Sequence, residues 1–184
     1  MSIILPVKGV MPQIPDSCFV APNATIVGDV IFGESCSIWF NAVVRGDVNS
    51  IRIGNKVNIQ DGACLHCTYE KTQVHIGNNV SIGHNAIVHG CTIADDVLIG
   101  MGAIVMDNVQ IGTGSIVAAG AVVLENTVIE PGSIYAGVPA KKVKMASEEL
   151  IHGEINRISN NYVQYASWFS DYNDAPDATK KVSE

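Results

Sequence analysis

A large apolar side chain recurs at every sixth position along most of this chain. Four residues later the side chain is usually small or β-branched, and glycine often follows the apolar residue directly, as at Gly54 and Gly77. A six-residue period fits neither an α-helix nor simple strand alternation. It is typical of hexapeptide repeats, in which three hexads close one triangular coil of a parallel β-helix. The recurring apolar positions are Val20, Ile26, Phe32, Ile38, Val44, Ile53, Ile59, Leu65, Ile76, Ile82, Val88, Ile93, Ile99, Val105, Ile111, Val117, Val123, Ile129 and Tyr135.

The repeat predicts an all-β solenoid in which these apolar side chains fill the prism. Successive coils stack through main-chain hydrogen bonds at a strand spacing of about 4.8 Å. Because one coil cannot bury its apolar face alone, the fold depends on stacking and on capped ends.

The six-residue register breaks at three places. Three extra residues fall between Val44 and Ile53, and five fall between Leu65 and Ile76. One residue is missing between Val88 and Ile93. We expect the extra residues to leave the prism as loops near the histidines.

The period changes to a helical one near the end of the chain. Ser147 is a candidate N-cap for an amphipathic helix that packs on the solenoid. We therefore divide the chain into a β-helix domain with an N-terminal cap segment (1–144), a helical segment (145–173) and a flexible tail (174–184). The apolar face of the helix comprises Ile151, Ile155, Ile158, Tyr162, Tyr165 or Ala166, and Phe169.

The composition of the chain excludes several classes of function. The formal net charge of −7 and pI of about 5.1 argue against nucleic-acid binding. The sequence shows neither a membrane-spanning run nor a targeting segment, and its five cysteines form no obvious disulfide framework, so we expect a cytoplasmic protein. Cys64 and Cys67 flank His66, but the sequence offers no second pair to complete a four-ligand zinc site.

Three polar residues share one position in the repeat. Arg45, His66 and His89 each directly follow an inward apolar residue, so they should stack in a column on adjacent coils. His84 falls on the preceding side of the triangle and cannot join that column within its own chain. Two stacked imidazoles form part of a three-histidine metal site. If three solenoids pack around a threefold axis, His84 of a neighbouring chain can complete it.

The chain resembles the γ-class carbonic anhydrases and their hexapeptide-repeat homologues over nearly its whole length. The matching motifs are VVRGD (43–47), NIQDG (58–62), LH (65–66), GHNAIVHGC (83–91), IGMGA (99–103), YAGVPAK (135–141) and NNYV (160–163). The resemblance implies a left-handed parallel β-helix with a C-terminal α-helix and a homotrimer with metal sites shared between subunits. It also implies that His66, His84 and His89 hold Zn²⁺, or alternatively Fe²⁺ or Co²⁺.

The same resemblance implies reversible hydration of carbon dioxide to bicarbonate by a metal-bound hydroxide. Gln60 would orient the hydroxide, and Tyr162 would reach the pocket from the helix. Arg45 and Asp47 resemble the family's interfacial ion pair, with Arg45 near enough to hold bicarbonate. Two further residues are expected to support the ligands or the interface: Asn58 and Asp61.

The sequence also departs from the active members of that family. Val48 follows the RGD motif and the loop after His66 is short, so the glutamates that export protons are not in their usual places; Tyr69 and Glu70 are the available substitutes. Two alternatives therefore remain open. One is an acyl-CoA-dependent hexapeptide acyltransferase, which uses a single histidine as general base. The other is a metal-binding or assembly homologue with little turnover.

Overall fold

The computed structural model describes residues 2–169, so the predicted tail (174–184) lies outside the described residues. The described chain is a parallel β-solenoid followed by a helical segment. Its strands are β1 (Ile3–Leu5), β2 (Phe19–Val20), β3 (Thr25–Phe32), β4 (Ser37–Ile38), β5 (Val43–Ile53), β6 (Asn58–Ile59), β7 (Cys64–His66), β8 (Val74–Ile76), β9 (Ser81–Ile82), β10 (Ile87–His89), β11 (Thr92–Ile93), β12 (Leu98–Ile99), β13 (Ile104–Val105), β14 (Gln110–Ile111), β15 (Ile116–Val117), β16 (Val122–Val123), β17 (Val128–Ile129), β18 (Ser133–Ala136) and β19 (Lys141–Met145).

The strands stack into three faces of a prism. The first face consists of β2, β4, β6, β9, β12, β15 and β18. The second face consists of β1, the first halves of β3 and β5, and then β7, β10, β13 and β16. The third face consists of the second halves of β3 and β5, and then β8, β11, β14 and β17. The antiparallel strand β19 pairs with β18 at the last coil.

The predicted inward positions form the core. On the first face, Ile99 pairs with Val117, 18 positions later, so each six-residue hexad supplies one side of a coil. Ile59 pairs with Ile82, 23 positions later, because that coil also contains the five inserted residues. Side chains such as Ile59 and Leu65 are fully buried. The predicted solenoid and its register are therefore confirmed.

The first insertion does not form the separate loop that the sequence led us to expect. β5 runs unbroken from Val43 to Ile53 and turns the corner between the second and third faces. Gly28 pairs with Gly46 and Val30 with Ile51, so β5 advances five residues while β3 advances two. The prediction was wrong because a bulge can absorb three extra residues within a paired strand while the ladder continues.

The second insertion does leave the prism. The segment 67–73 between β7 and β8 contains turns, and its main chain closes through the bond from the Thr72 amide to the Thr68 carbonyl. The missing residue after Val88 produces a tight corner at Gly90 and Cys91 before β11. Both features lie at the edge of the second face that carries His66 and His89.

The helical segment covers the first face. It comprises α1 (Glu148–Leu150), a π-helical turn (Ile151–Ile155) and α2 (Asn156–Ser167). The predicted N-cap is confirmed, because the Leu150 amide donates to Ser147 Oγ at 3.2 Å. Ile155 is fully buried, as the helical period predicted, and Ser159 is buried as well, donating to Asn79 at 3.0 Å. Among residues 2–169, no helix is long and apolar enough to cross a bilayer.

Candidate metal centre

His66 and His89 lie side by side on the second face. They are direct partners in the pairing of β7 with β10, as the repeat predicted. Their rings meet at His66 Nδ1 and His89 Nε2, which are 3.2 Å apart. Arg45 lies one coil before His66, because its neighbour Val44 pairs with Leu65.

Each of these two histidines also contacts a carboxylate through its other ring nitrogen. His66 Nε2 lies 3.1 Å from Asp47 Oδ1, and His89 Nδ1 lies 2.6 Å from Asp107 Oδ1. A carboxylate can only accept, so each of these ring nitrogens is the donor. The two carboxylates thereby leave His66 Nδ1 and His89 Nε2 as the nitrogens that face each other.

The groups around Asp47 and Asp107 favour the ionised form of both carboxylates. Partial burial raises the pKa of Asp47. The hydrogen bond and charge of Arg45 and the hydrogen bond from His66 outweigh this effect, so the pKa of Asp47 lies below its ordinary value. Burial likewise raises the pKa of Asp107, and the hydrogen bonds from Thr68 and His89 outweigh this, again leaving a lowered pKa.

The facing nitrogens have the donor chemistry of a metal site. In two neutral rings both would present lone pairs at 3.2 Å, an unfavourable arrangement that a cation between them relieves. Burial and the charge of Arg45 lower the pKa of His66 against the opposing bond to Asp47, which disfavours a proton on His66 Nδ1. Two nitrogens bound to one tetrahedral zinc ion lie about 3.3 Å apart, given Zn–N bonds of about 2.05 Å. These residues therefore fit a zinc ion.

Arg45 and Asp47 form the predicted ion pair. Arg45 Nη1 lies 2.5 Å from Asp47 Oδ2, while the other oxygen of Asp47 faces His66. The first residues of the bulge in β5 include Asp47, which explains how a residue three positions after Val44 reaches the histidine column. Arg45 remains substantially exposed beside the histidine pair.

His84 lies in a separate group at the corner between the first and second faces. Its Nδ1 is 2.8 Å from Asp61 Oδ2, and its Nε2 is 3.4 Å from the hydroxyl of Tyr162 on α2. Tyr162 packs edge to face on Trp39 at 5.3 Å between ring centroids. Burial, and then the nearby charge of Asp61, raise the pKa of Tyr162 to about 12, so the hydroxyl is protonated near neutral pH.

A chain of hydrogen bonds connects the main chain of His84 to Gln60 and Asn58. Gln60 Oε1 accepts from the His84 amide at 3.2 Å, and Gln60 Nε2 donates to Asn58 Oδ1 at 2.9 Å. Asn58 Nδ2 in turn donates to Ser81 Oγ at 2.7 Å. Because Asn58 and Ser81 are buried, this chain of hydrogen bonds fixes the orientation of the Gln60 amide.

The predicted site residues thus fall into two groups on one chain. The first, which we call the pair group, contains Arg45, Asp47, His66 and His89. The second, which we call the corner group, contains Asn58, Gln60, Asp61, His84 and Tyr162. The five residues from His84 to His89 span up to about 16 Å of extended chain across the second face. Within residues 2–169 no three His, Cys, Asp or Glu side chains are arranged so that they could hold one metal ion together, consistent with this separation.

The cysteines beside His66 do not contribute a ligand set. Cys67 is buried in the core, where burial raises its thiol pKa to about 11. Cys64 points outward and is unpaired within the described chain. The two thiols therefore lie on opposite sides of the strand.

Sequence reasoning missed Asp107 and the two threonines that hold it. Thr68 Oγ1 donates to Asp107 Oδ2 at 2.6 Å, and Thr72 Oγ1 donates to Asp107 Oδ1 at 3.3 Å. The repeat contained no register signal for Asp107, because the coil after Val88 is one residue short. Val88 pairs with Val105, so Met106 takes the position equivalent to His89 and Asp107 lies one residue beyond it. The threonines lie in the inserted loop, for which the repeat gives no register.

Comparison with known proteins gives the chain a family context. Residues 90–125 match the bacterial transferase hexapeptide (six repeats) family. The hexapeptide transferase family protein from Anaplasma phagocytophilum has a similar structure, with a TM-score of 0.85 and 37% identity over 91% of this chain and 98% of that one.

Two carbonic anhydrases are similar in sequence. The carbonic anhydrase of Geobacillus kaustophilus is 46% identical over 167 residues, which cover 91% of each protein. The mitochondrial γ carbonic anhydrase 2 of Arabidopsis thaliana is 40% identical over 84% of this chain, which spans only 57% of the plant protein. The chain therefore belongs to the γ-class carbonic anhydrase family of hexapeptide-repeat proteins.

Proposed function

We propose that this protein is a metal-dependent enzyme that hydrates carbon dioxide reversibly at sites shared between the subunits of a homotrimer. The pair group of one subunit and the corner group of its neighbour would form each site. Zinc is the metal that we expect, held by His66 and His89 of one chain and by His84 of the next.

The observation that carries this proposal is common to the three histidines. Each has one ring nitrogen within 3.1 Å of a carboxylate oxygen: His66 with Asp47, His84 with Asp61 and His89 with Asp107. Metal-binding histidines commonly donate their second nitrogen to a carboxylate, which fixes the ring and strengthens the ligand. The same arrangement at both edges of one face supports the view that the three histidines serve one kind of site.

The outer surface of the second face supports a trimer. Its outward positions beside the histidine column form a stacked apolar ladder, and Ile87 at its centre is 40% exposed. An apolar strip next to polar site residues is typical of an interface between subunits. The ladder comprises Val43, Cys64, Ile87, Ile104 and Val122.

A zinc ion bound by three histidines supplies an activated water at neutral pH for attack on carbon dioxide. The chain's own residues would then orient the reactants. The fixed amide of Gln60 and the protonated hydroxyl of Tyr162 offer hydrogen bonds beside His84. Arg45 offers a cation beside His66 that can hold the bicarbonate product.

Proton export is the step for which this chain is least equipped. Glu70 lines a polar cavity of about 370 Å³ together with Thr92 and Gln110, which belong to the third face. Glu70 therefore borders residues of the third face, whereas His66 and His89 lie on the second. We expect slower turnover than in family members whose glutamates border the site, which keeps the binding or assembly role as the second candidate.

The test combines metal content, oligomeric state and activity. Protein loaded with zinc, and separately with iron under anaerobic conditions, should bind about one metal per chain and sediment as a trimer. Stopped-flow measurement of carbon dioxide hydration then distinguishes an enzyme from a binding module. A wild-type protein that binds no metal would refute the proposal and favour the acyltransferase, whose general base needs none.

A further inference from the structure

We propose that Asp107 is a positioning residue for His89, held in place by the inserted loop 67–73. Asp107 would fix the ring of His89 and keep a proton on Nδ1, so that Nε2 is the nitrogen free to bind a metal. This inference deepens the proposed function and rests on the assignment of His89 as a ligand.

The carboxylate of Asp107 accepts hydrogen bonds from His89, Thr68 and Thr72. We call Asp107 and the two threonines the clamp. Its Oδ1 receives the His89 Nδ1 hydrogen at 2.6 Å, and Thr72 donates to the same oxygen at 3.3 Å. Its Oδ2 receives the Thr68 hydroxyl at 2.6 Å. The threonines also brace each other, because the Thr68 amide donates to Thr72 Oγ1 at 2.9 Å. Three donors thus fix the carboxylate, and only one of them is the histidine.

The corner after His89 is shaped to admit this clamp. A Cβ on Gly90 would overlap both the carboxylate of Asp107 and the hydroxyl of Thr72. Gly90 also has a φ of +53°, a conformation that costs other residues energy. The glycine therefore lets the carboxylate approach the ring while the loop closes over it.

The clamp gives the inserted loop a role distinct from proton export. The repeat alone would join β7 to β8 without the five extra residues, and both threonines lie in the segment that the insertion creates. The loop thereby reaches across two coils to a residue of the β13–β14 connection.

The test compares Asp107→Asn with wild type by two measurements on full-length protein. Competition with a chromophoric chelator gives the zinc dissociation constant, which we expect to rise roughly 10- to 100-fold in the variant. Nitrogen-15 NMR of the metal-free protein gives the tautomer of His89. We expect hydrogen on Nδ1 in wild type and a population with hydrogen on Nε2 in Asp107→Asn.

Two further variants keep the inference falsifiable. Thr68→Val preserves the shape of the loop but removes one donor, so it should weaken zinc binding in the same direction by a smaller factor, and it serves if Asp107→Asn does not fold. Asp95→Asn is the matched control, because Asp95 also bridges neighbouring coils by accepting from the Asn78 amide at 2.6 Å but contacts no histidine. It should leave both measurements unchanged.

The outcomes separate this inference from the proposed function. An unchanged tautomer and unchanged zinc affinity in Asp107→Asn would overturn the positioning role while leaving the metal site intact. Equal losses in Asp107→Asn and Asp95→Asn would also overturn it, because they would indicate a general effect on the fold. If wild type binds no zinc, the proposed function fails, whereas the tautomer of His89 still decides whether Asp107 fixes the ring.

Discussion

Mixing two inactive variants should restore metal sites if each site is shared between subunits. His84→Ala removes the ligand of the corner group, and His89→Ala removes one ligand of the pair group. Each variant alone should lose most of its zinc, because every site in its trimer lacks one ligand. Trimers that contain both variants, however, can combine an intact corner group with an intact pair group at one interface.

The expected recovery follows from the arrangement of the two groups. A site is intact only when its His84 comes from the His89→Ala chain and its pair group comes from the His84→Ala chain. In random trimers assembled from equal amounts, about one quarter of the sites meet both conditions, since each condition holds half the time. A site contained within one chain would give no recovery, because neither variant carries all three histidines.

The assay is zinc content per chain and carbon dioxide hydration after the differently tagged variants are unfolded and refolded together. Tandem capture on both tags shows whether the subunits have mixed. A control mixture of His89→Ala with His75→Ala should recover about one half of the sites, because only one condition then applies. His75 is exposed on the third face and belongs to neither group.

Two results would refute the reasoning. One is a mixed trimer, verified by both tags, whose zinc content stays at the level of the single variants. The other is a His84→Ala protein that keeps full zinc content, which would remove His84 from the ligand set.

Three further predictions concern other parts of the molecule. Tyr162→Phe should leave the melting temperature nearly unchanged, because the phenyl ring still packs on Trp39. The same change should reduce carbon dioxide hydration measured by stopped flow, because it removes the hydroxyl beside His84. Activity equal to that of wild type would remove Tyr162 from the site. Leu65→Ala, which truncates a fully buried side chain, should lower the free energy of unfolding by about 2–5 kcal/mol, whereas Val128→Ala at a 62% exposed position should change it by less than about 1 kcal/mol in denaturant titrations. Iodoacetamide at pH 7 should label Cys18 faster than Cys64, because the thiolate is the reactive form of a cysteine. A hydrogen bond from the Cys36 thiol lowers the pKa of Cys18 to about 7, whereas burial raises the pKa of Cys64. Peptide mass spectrometry measures the order of labelling, and the reverse order would contradict this prediction.

The repeat predicted the features that depend on stacking alone. The six-residue period assigns each inward residue to a face, and once the insertions are counted it places His66 beside His89. It also places His84 on the preceding side of the triangle. These features were predictable because a solenoid adds one coil at a time with the same hydrogen-bond pattern.

The features that the repeat could not predict depend on the insertions. Three extra residues in β5 are absorbed by a bulge, and that bulge brings Asp47 to His66. The loop after His66 folds toward Asp107 because Thr68 and Thr72 find an acceptor there. A period carries no information about residues that interrupt it, so these contacts follow from local hydrogen bonding.

The geometry of a prism explains why a three-ligand site would form between subunits. Adjacent coils supply two stacked ligands with nitrogens 3.2 Å apart, as His66 and His89 do. A tetrahedral ion needs its third ligand from outside that column. Asp47 and Asp107 do reach the column, but they contact the outer ring nitrogens of the two histidines and not the nitrogens that face each other. A residue at the far edge of the face, such as His84, can supply the third ligand only to a different column. Packing the second faces of neighbouring chains against each other meets both needs at once, because every chain then receives one ligand and donates one.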